Sequence, residues 1–158
     1  MNAVKFSEES LKTFDEIVGR YPQKNAAMLP VLYLAQKEFG YISPEVMAYV
    51  AEIMEVPVAR VLGVVTFYTM FNLNPIGRHH IQVCRTLPCA LAGSERITGA
   101  IKAKLKIGAG ETTPDGRFTL SEVECLASCG TAPMMQVNDD YYENLTEKSV
   151  GEIIDRLK

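Results

Sequence analysis

Two stretches of the chain decide its fold: VCRTLPCALAG, from Val83 to Gly93, and VECLASCGTAPMMQVNDDYYENL, from Val123 to Leu145. Each begins where a run of alternating polar and apolar residues ends, and such alternation predicts a β-strand. If the two strands are neighbours in one sheet, the loops that follow them leave the sheet at the same edge. The sequence then predicts a single site that contains all four cysteines of the chain, Cys84, Cys89, Cys125 and Cys129.

Further signals around these stretches complete the C-terminal part of the fold. Ser94 is placed to cap an amphipathic helix, and Thr146 is placed to cap a last one. Residues 138–140, Asn-Asp-Asp, predict the turn of a hairpin between two short strands. The predicted order is strand, helix, strand, strand, strand, helix, which is an α/β (α+β) arrangement with one sheet.

The N-terminal part predicts helices instead. Ser7 and Ser43 stand where helices begin, each just before a run with helical spacing of apolar residues. The last helix predicted in this part starts at Pro57 and has the sequence PVARVLGVVTFYTMF. It is apolar on more than one face, which predicts that it packs inside a bundle or against a partner. We therefore expect a helical N-terminal module over residues 1–75 and a second domain over residues 76–158.

Composition and charge argue against several classes of protein. The chain is 47% hydrophobic and 22% charged, which is typical of a folded globular protein. Its net charge is −3, and it lacks the basic patch of a nucleic-acid-binding protein. It has neither the roughly 18 consecutive apolar residues of a membrane span nor the apolar core of a signal peptide. We expect a cytoplasmic protein, in which paired cysteines favour metal or redox chemistry over disulfides.

Four converging thiolates have few uses. The cysteine spacings are C-x4-C and C-x3-C, separated by 35 residues. Structural zinc accepts four thiolates but usually takes them from closer pairs, and a dithiol oxidoreductase would show C-x-x-C. A binuclear iron–sulfur cluster also takes four thiolates, and C-x4-C is a spacing of plant-type ferredoxins. The spacing alone favours iron–sulfur but leaves zinc, disulfides and unrelated buried cysteines open.

The same residues resemble a known family. VCRTLPCALAGS and ECLASCGTAPMMQVNDDYYENLT closely resemble the thioredoxin-like 2Fe–2S subunit of respiratory NADH:quinone oxidoreductase, complex I. GVVTFYTMF and QKEFGYIS resemble the helical N-terminal segment of that family, so the resemblance covers nearly the whole chain. It implies a helical module followed by a thioredoxin-like 2Fe–2S ferredoxin domain.

The resemblance also implies a function. One 2Fe–2S cluster would be ligated by the cysteines at the four matching positions, and it would exchange single electrons with FMN on a partner flavoprotein that oxidises NADH. Further iron–sulfur subunits would belong to the same complex, which would hold the chain at the periphery of the inner membrane. The chain would act as a subunit of an NADH dehydrogenase and show no catalytic activity alone. The equivalent subunit of an NAD-dependent formate dehydrogenase or an NAD-linked or electron-bifurcating hydrogenase is the alternative, and an interaction module stapled by zinc on the four cysteines is a third hypothesis.

One residue departs from the family pattern. The family usually has C-L-G-x-C where this chain has Cys125-Leu126-Ala127-Ser128-Cys129. If Ala127 adopts a positive φ, the conformation costs about 1–2 kcal/mol. We therefore hypothesise that Ala127 shifts the reduction potential by crowding a contact between a backbone N–H group and a cysteine sulfur.

Other polar residues near the cysteines have simpler explanations. His79 and His80 are candidates for a Rieske-type site, but neighbours on a strand point to opposite faces, and four cysteines already complete a ligand set. Glu122 and Glu124 share a face of their predicted strand, where we expect solvated side chains instead of an acid–base pair. Near the end of the helical module, Tyr68, Met70 and Phe71 are expected to pack in the core, with a docking surface as the alternative.

Overall fold

The computed structural model describes residues 4–157, which fall into two units with a boundary between Pro75 and Ile76. The first unit is helical. A short 3-10 helix at Lys24–Ala27 precedes the second of its four α-helices, which are α1 (Glu8–Gly19), α2 (Met28–Phe39), α3 (Pro44–Met54) and α4 (Val58–Phe67).

Local signals set the ends of these helices. The Ser7 hydroxyl accepts a hydrogen bond from the Ser10 N–H group at the start of α1, and the Ser43 hydroxyl accepts one from Val46 at the start of α3. Both predicted caps are confirmed. Helix α2 ends at Gly40, which has a φ of 83°, a conformation that glycine adopts without steric cost.

The first unit has its own hydrophobic core. Phe6 anchors the start of the chain, since its ring stacks on Phe39 and its N–H group donates to the Tyr49 hydroxyl. Side chains from all four helices fill the centre, among them Phe14, Val31, Leu32, Ala35, Val50 and Val61.

Helix α4 differs from its prediction. It ends at Phe67, several residues earlier than expected, and it buries one side through Val61 and Val65. Leu62 is half-exposed and Phe67 is largely exposed, so the outward side of α4 is apolar. After α4, Phe71 is buried in the core, as predicted, whereas Tyr68 is partly exposed.

The second unit is built on a four-stranded mixed sheet in the order β2-β1-β3-β4. Strands β1 and β2 run parallel, and β3 pairs with both β1 and β4 in antiparallel fashion. Gly77, just before β1, lies so close to β2 that a Cβ atom there would come within 2.8 Å of the Phe118 backbone. The elements of this unit, in chain order, are β1 (His79–Cys84), α5 (Leu87–Leu91), α6 (Ser94–Leu105), β2 (Phe118–Val123), β3 (Met135–Val137), β4 (Asp140–Tyr142) and α7 (Glu147–Arg156).

Helices α6 and α7 pack together, and α6 also packs against β1 and β2. The core between helices and sheet contains the alternate residues Ile81 and Val83 of β1, together with Leu120, Met135, Ile97, Ile101, Ile153 and Ile154. The predicted order of strands and helices and the α+β class are confirmed. No helix within residues 4–157 combines the length and the apolar character needed to cross a membrane.

The two predicted helix caps of this unit have different outcomes. The predicted cap Thr146 is confirmed, because its hydroxyl accepts from the Ser149 N–H group. The predicted cap Ser94 is wrong: it is the first residue of α6, and Gly93 precedes it with a φ of 96°. The chain turns sharply there from α5 into α6, and glycine allows that turn. Helix α5 was not predicted, because its five residues are too few to show helical spacing.

Candidate metal centre

Parallel pairing of β1 with β2 brings the two cysteine loops to one edge of the sheet. Cys84, the last residue of β1, lies opposite Val123, the last residue of β2. The pairing continues one step further, since the Arg85 N–H group donates to the Val123 carbonyl at 3.0 Å. Cys125 follows two residues later, so both loops leave the sheet together. The predicted adjacency of the two strands is confirmed.

The four thiols form two pairs that lie close to one another. Cys84 and Cys89 are buried and each affects the pKa of the other, whereas Cys125 and Cys129 are exposed and Cys125 raises the pKa of Cys129. Leu126, which lies between the exposed cysteines in sequence, packs against the buried pair. The charge on Cys129 also interacts with those on Cys84 and Cys89. The structure therefore places all four cysteines, which the sequence predicts to share a site, close enough for their charges to interact.

Several hydrogen-bond donors surround the Cys84 sulfur. Burial raises the pKa of its thiol, but hydrogen bonds from the Thr86 hydroxyl, the Leu126 N–H group and the Thr86 N–H group outweigh that effect. The pKa of Cys84 consequently lies below its ordinary value. The Thr86 Oγ1 atom is 3.3 Å from Cys84 Sγ. This sulfur is therefore well prepared to carry negative charge, as a metal ligand must.

The pKa values of two other thiols are raised instead. Burial raises the pKa of Cys89, and so does the neighbouring Cys84, while the Met134 N–H group opposes the shift. Desolvation also raises the pKa of Cys129, followed by the effect of Cys125 beside it. Crowding of several thiolates in one place is costly without a cation, so this group of sulfurs suits a positively charged metal centre.

Backbone N–H groups point at the sulfurs of both loops. The Ala127 N–H group donates to Cys125 Sγ at 3.3 Å, and those of Leu126 and Met134 donate to the buried pair. Ala127 has a φ of 62°, the positive value considered above. Such donors stabilise anionic sulfur and are the common surroundings of thiolate-bound metal centres. The residues present therefore fit an iron–sulfur cluster.

Within residues 4–157, no three His, Cys, Asp or Glu side chains are grouped around a position for one metal ion. The sulfurs are arranged instead as a buried pair, Cys84 and Cys89, and an exposed pair, Cys125 and Cys129. The two pairs come from separate loops, one after β1 and the other after β2.

The histidines lie at the other end of β1. His80 is buried, and its Nε2 atom is 2.8 Å from the Ser121 hydroxyl. The ring of His79 packs on Phe118, with 5.3 Å between ring centroids. Since β1 separates both residues from Cys84 by about 3.3 Å per residue of strand, neither belongs to the cysteine site.

The two glutamates of the β2 region have surface partners. Glu124 accepts hydrogen bonds from Arg85, the nearer of them at 2.6 Å, and Glu122 lies 3.8 Å from the Lys102 ammonium group. Both carboxylates are exposed. They are solvated strand-end residues, in line with the expectation.

A second group of polar residues at the site was not predicted from the sequence. The carboxylate of Glu143 accepts hydrogen bonds from the hydroxyls of Ser128 and Thr131, which lie on either side of Cys129. Thr86 beside Cys84 was also missed. A hydroxyl near each cysteine is a weak signal in the sequence, and the role of Glu143 depends on β3–β4 pairing that brings it back to the loop.

Comparisons with known proteins identify the family of the chain. The thioredoxin-like [2Fe-2S] ferredoxin family matches residues 14–158. An NADH-quinone oxidoreductase subunit of Rickettsia conorii (strain ATCC VR-613 / Malish 7) is 47% identical over 156 residues, which cover 97% of this chain and 93% of that protein. The mitochondrial NADH dehydrogenase [ubiquinone] flavoprotein 2 of Dictyostelium discoideum is 45% identical, over 97% of this chain and 63% of that protein.

A solved structure shares the fold. An NAD+-reducing [NiFe]-hydrogenase in the air-oxidised state superposes with a TM-score of 0.73 at 19% identity, over 82% of this chain. The chain spans 22% of that hydrogenase chain, and at 19% identity the likeness concerns the fold alone. From the family match and the near full-length relatives, the chain belongs to the thioredoxin-like [2Fe-2S] ferredoxin family, as its two cysteine motifs predict.

Proposed function

We propose that the chain holds one 2Fe–2S cluster on Cys84, Cys89, Cys125 and Cys129 and serves as an electron-transfer subunit of an NADH:quinone oxidoreductase. The observation that carries the proposal is the meeting of two thiol pairs from separate loops, with Leu126 of one loop packed on the cysteines of the other. When bound, the cluster supplies a one-electron redox couple.

The arrangement of the thiols supports two irons more than one zinc. In a binuclear cluster each iron takes two cysteine sulfurs, whereas structural zinc gathers four ligands around one ion. Here the sulfurs lie as two pairs. We assign one iron to Cys84 and Cys89 and the other to Cys125 and Cys129.

The residues of the chain hold the site and adjust its charge. N–H groups of Leu126, Ala127 and Met134, with the Thr86 hydroxyl, donate to sulfur and so favour the more negative state. Met134 and the buried cysteine pair shield one side from water. The exposed pair, Cys125 and Cys129, leaves the other side open to a partner, and electron transfer depends on such close approach.

The partner in this proposal is a flavoprotein that binds FMN and oxidises NADH, with further iron–sulfur subunits in the same complex. Support comes from the Rickettsia and Dictyostelium relatives, whose names place them in NADH dehydrogenases. The hydrogenase likeness extends only to the fold and does not favour the alternative assembly.

The helical unit, residues 1–75, provides docking surface in this proposal, and the exposed Leu62 and Phe67 of α4 are candidates for contact. Membrane attachment would then come from the complex.

Reduction by NADH tests this function directly. We expect NADH to reduce the chain only when the flavoprotein subunit is present, because no residue of this chain is proposed to bind NADH or FMN. The readout is the electron paramagnetic resonance signal of a reduced 2Fe–2S centre in an anaerobic mixture. The matched control omits the flavoprotein. Full reduction without the flavoprotein, or none in its presence, contradicts the proposal.

Loss of a single sulfur tests the ligand set. We expect Cys89→Ala and Cys129→Ala to lose the cluster or hold it poorly, since each would leave one iron with an open position. Iron and acid-labile sulfide per chain, with the visible spectrum, give the measurement. Leu87→Ala, an exposed change two residues from Cys89, is the control and should retain native iron. A cysteine variant with full iron content and an unchanged spectrum would show that its sulfur is not a ligand.

Ala127 offers a test of how the backbone adjusts the potential. Ala127→Gly removes a Cβ atom at a φ of 62° and lets the N–H group approach Cys125 more freely. A stronger donor favours the reduced state, so we expect the midpoint potential to rise by on the order of tens of millivolts, on a scale where a tenfold change in a one-electron equilibrium is about 59 mV. Ala103→Gly, on the exposed surface of α6, is the matched control. An identical potential in Ala127→Gly and the unaltered chain would eliminate this role.

A further inference from the structure

The loop with the exposed cysteines is fastened to the chain that follows β4. Two backbone bonds join the segments, from Asn144 N–H to the Thr131 carbonyl at 2.7 Å and from Leu145 N–H to the Pro133 carbonyl at 3.0 Å. Side chains add to this connection next to Cys129. Residues 143–145 therefore hold loop residues 128–133, although strands β3 and β4 separate the two segments in sequence.

Glu143 is the centre of the side-chain part of this connection. One of its carboxylate oxygens accepts from the Thr131 hydroxyl at 2.7 Å and from the Ser128 hydroxyl. These two hydroxyl oxygens are themselves 2.7 Å apart. The Thr131 N–H group also donates to the Ser128 carbonyl at 3.2 Å, which closes the short turn around Cys129.

We propose that Glu143 is a positioning residue for Cys129, and that its carboxylate clamps the Ser128–Thr131 turn so that the Cys129 sulfur stays in place for the cluster. This inference deepens the proposed function and depends on it. One carboxyl oxygen can accept hydrogen bonds from two hydroxyls at once, so Glu143 can clamp both Ser128 and Thr131.

The exposed cysteine pair needs such support more than the buried pair does. Cys84 lies at the end of the central strand β1, and Cys89 is packed among Met134, Leu126 and Ala132. Cys129 instead opens a 3-10 turn of three residues in which no residue is buried. Exposed segments with few packed side chains open locally at low free-energy cost, and an opened turn would release a ligand.

The charge of Glu143 has a second, separable effect. A carboxylate beside a centre that gains an electron disfavours reduction, because like charges repel. Glutamine at this position keeps an oxygen that can accept from both hydroxyls but carries no charge. Glu143→Gln therefore separates the charge from the clamp, while Glu143→Ala removes both.

The test compares variants of the full-length chain with its cluster. We expect Glu143→Ala to lose iron to a chelator about tenfold faster than the unaltered chain, the range seen when residues that support metal ligands are removed. Glu143→Gln should lose iron at close to the native rate and show a higher midpoint potential. Asp139→Asn removes a charge at the far end of the same β3–β4 hairpin and should shift the potential less.

Iron loss at the native rate in Glu143→Ala would overturn the clamp, as would equally fast loss in Glu143→Gln and Glu143→Ala. Amide hydrogen exchange of the cluster-free chain tests the same contact independently. We expect the Thr131 amide to exchange faster in Glu143→Ala and at the native rate in Glu143→Gln, and an unchanged rate in Glu143→Ala would contradict the inference. If the unaltered chain takes up no iron and sulfide, the proposed function fails, and the exchange result still decides whether Glu143 holds the turn.

Discussion

Hydrogen bonding between parallel strands β1 and β2 is the constraint on which the site depends. It places Cys84 opposite Val123 and directs both cysteine loops away from one edge of the sheet. A parallel pair requires a crossover, which α6 provides, and α6 contributes Ile97 and Ile101 to the core beneath the strands. The helix–sheet core therefore fixes the distance between two loops that are 35 residues apart in sequence.

The site divides into a buried half and an exposed half with different supports. Strand β1 and Met134 hold Cys84 and Cys89 away from water, and hydrogen-bond donors favour negative charge on Cys84. Cys125 and Cys129 lie in irregular chain, where the Ala127 N–H group and the Glu143 clamp take over the support. Such a division suits an electron carrier, in which one side excludes solvent and the other admits a partner. Little reorganisation is needed when the ligands are already held in place.

Strong local signals made much of the fold predictable from the sequence. The Ser7, Ser43 and Thr146 caps act within three residues, and alternating residues identify β1 and β2 without reference to the rest of the chain. The cysteine motifs identify the family for a similar reason, since their spacing is local within each loop.

The assignment of Ser94 as a cap failed because Gly93, at a positive φ, takes that position in a turn set by α5. Glu143 could not be found from the sequence, because its contact with Ser128 and Thr131 exists only after β3 and β4 pair. Similarly, the pattern of α4 shows that it is apolar but not which side the bundle buries.

In the proposed function, sulfurs from two loops enclose one binuclear iron centre. X-ray absorption at the iron edge of the purified, full-length chain tests it most directly, because it reports the atoms around each iron. We expect only sulfur atoms in the first coordination shell and a single iron neighbour for each iron. An oxygen or nitrogen ligand in that shell, no iron neighbour, or a protein that contains zinc and no iron would contradict it.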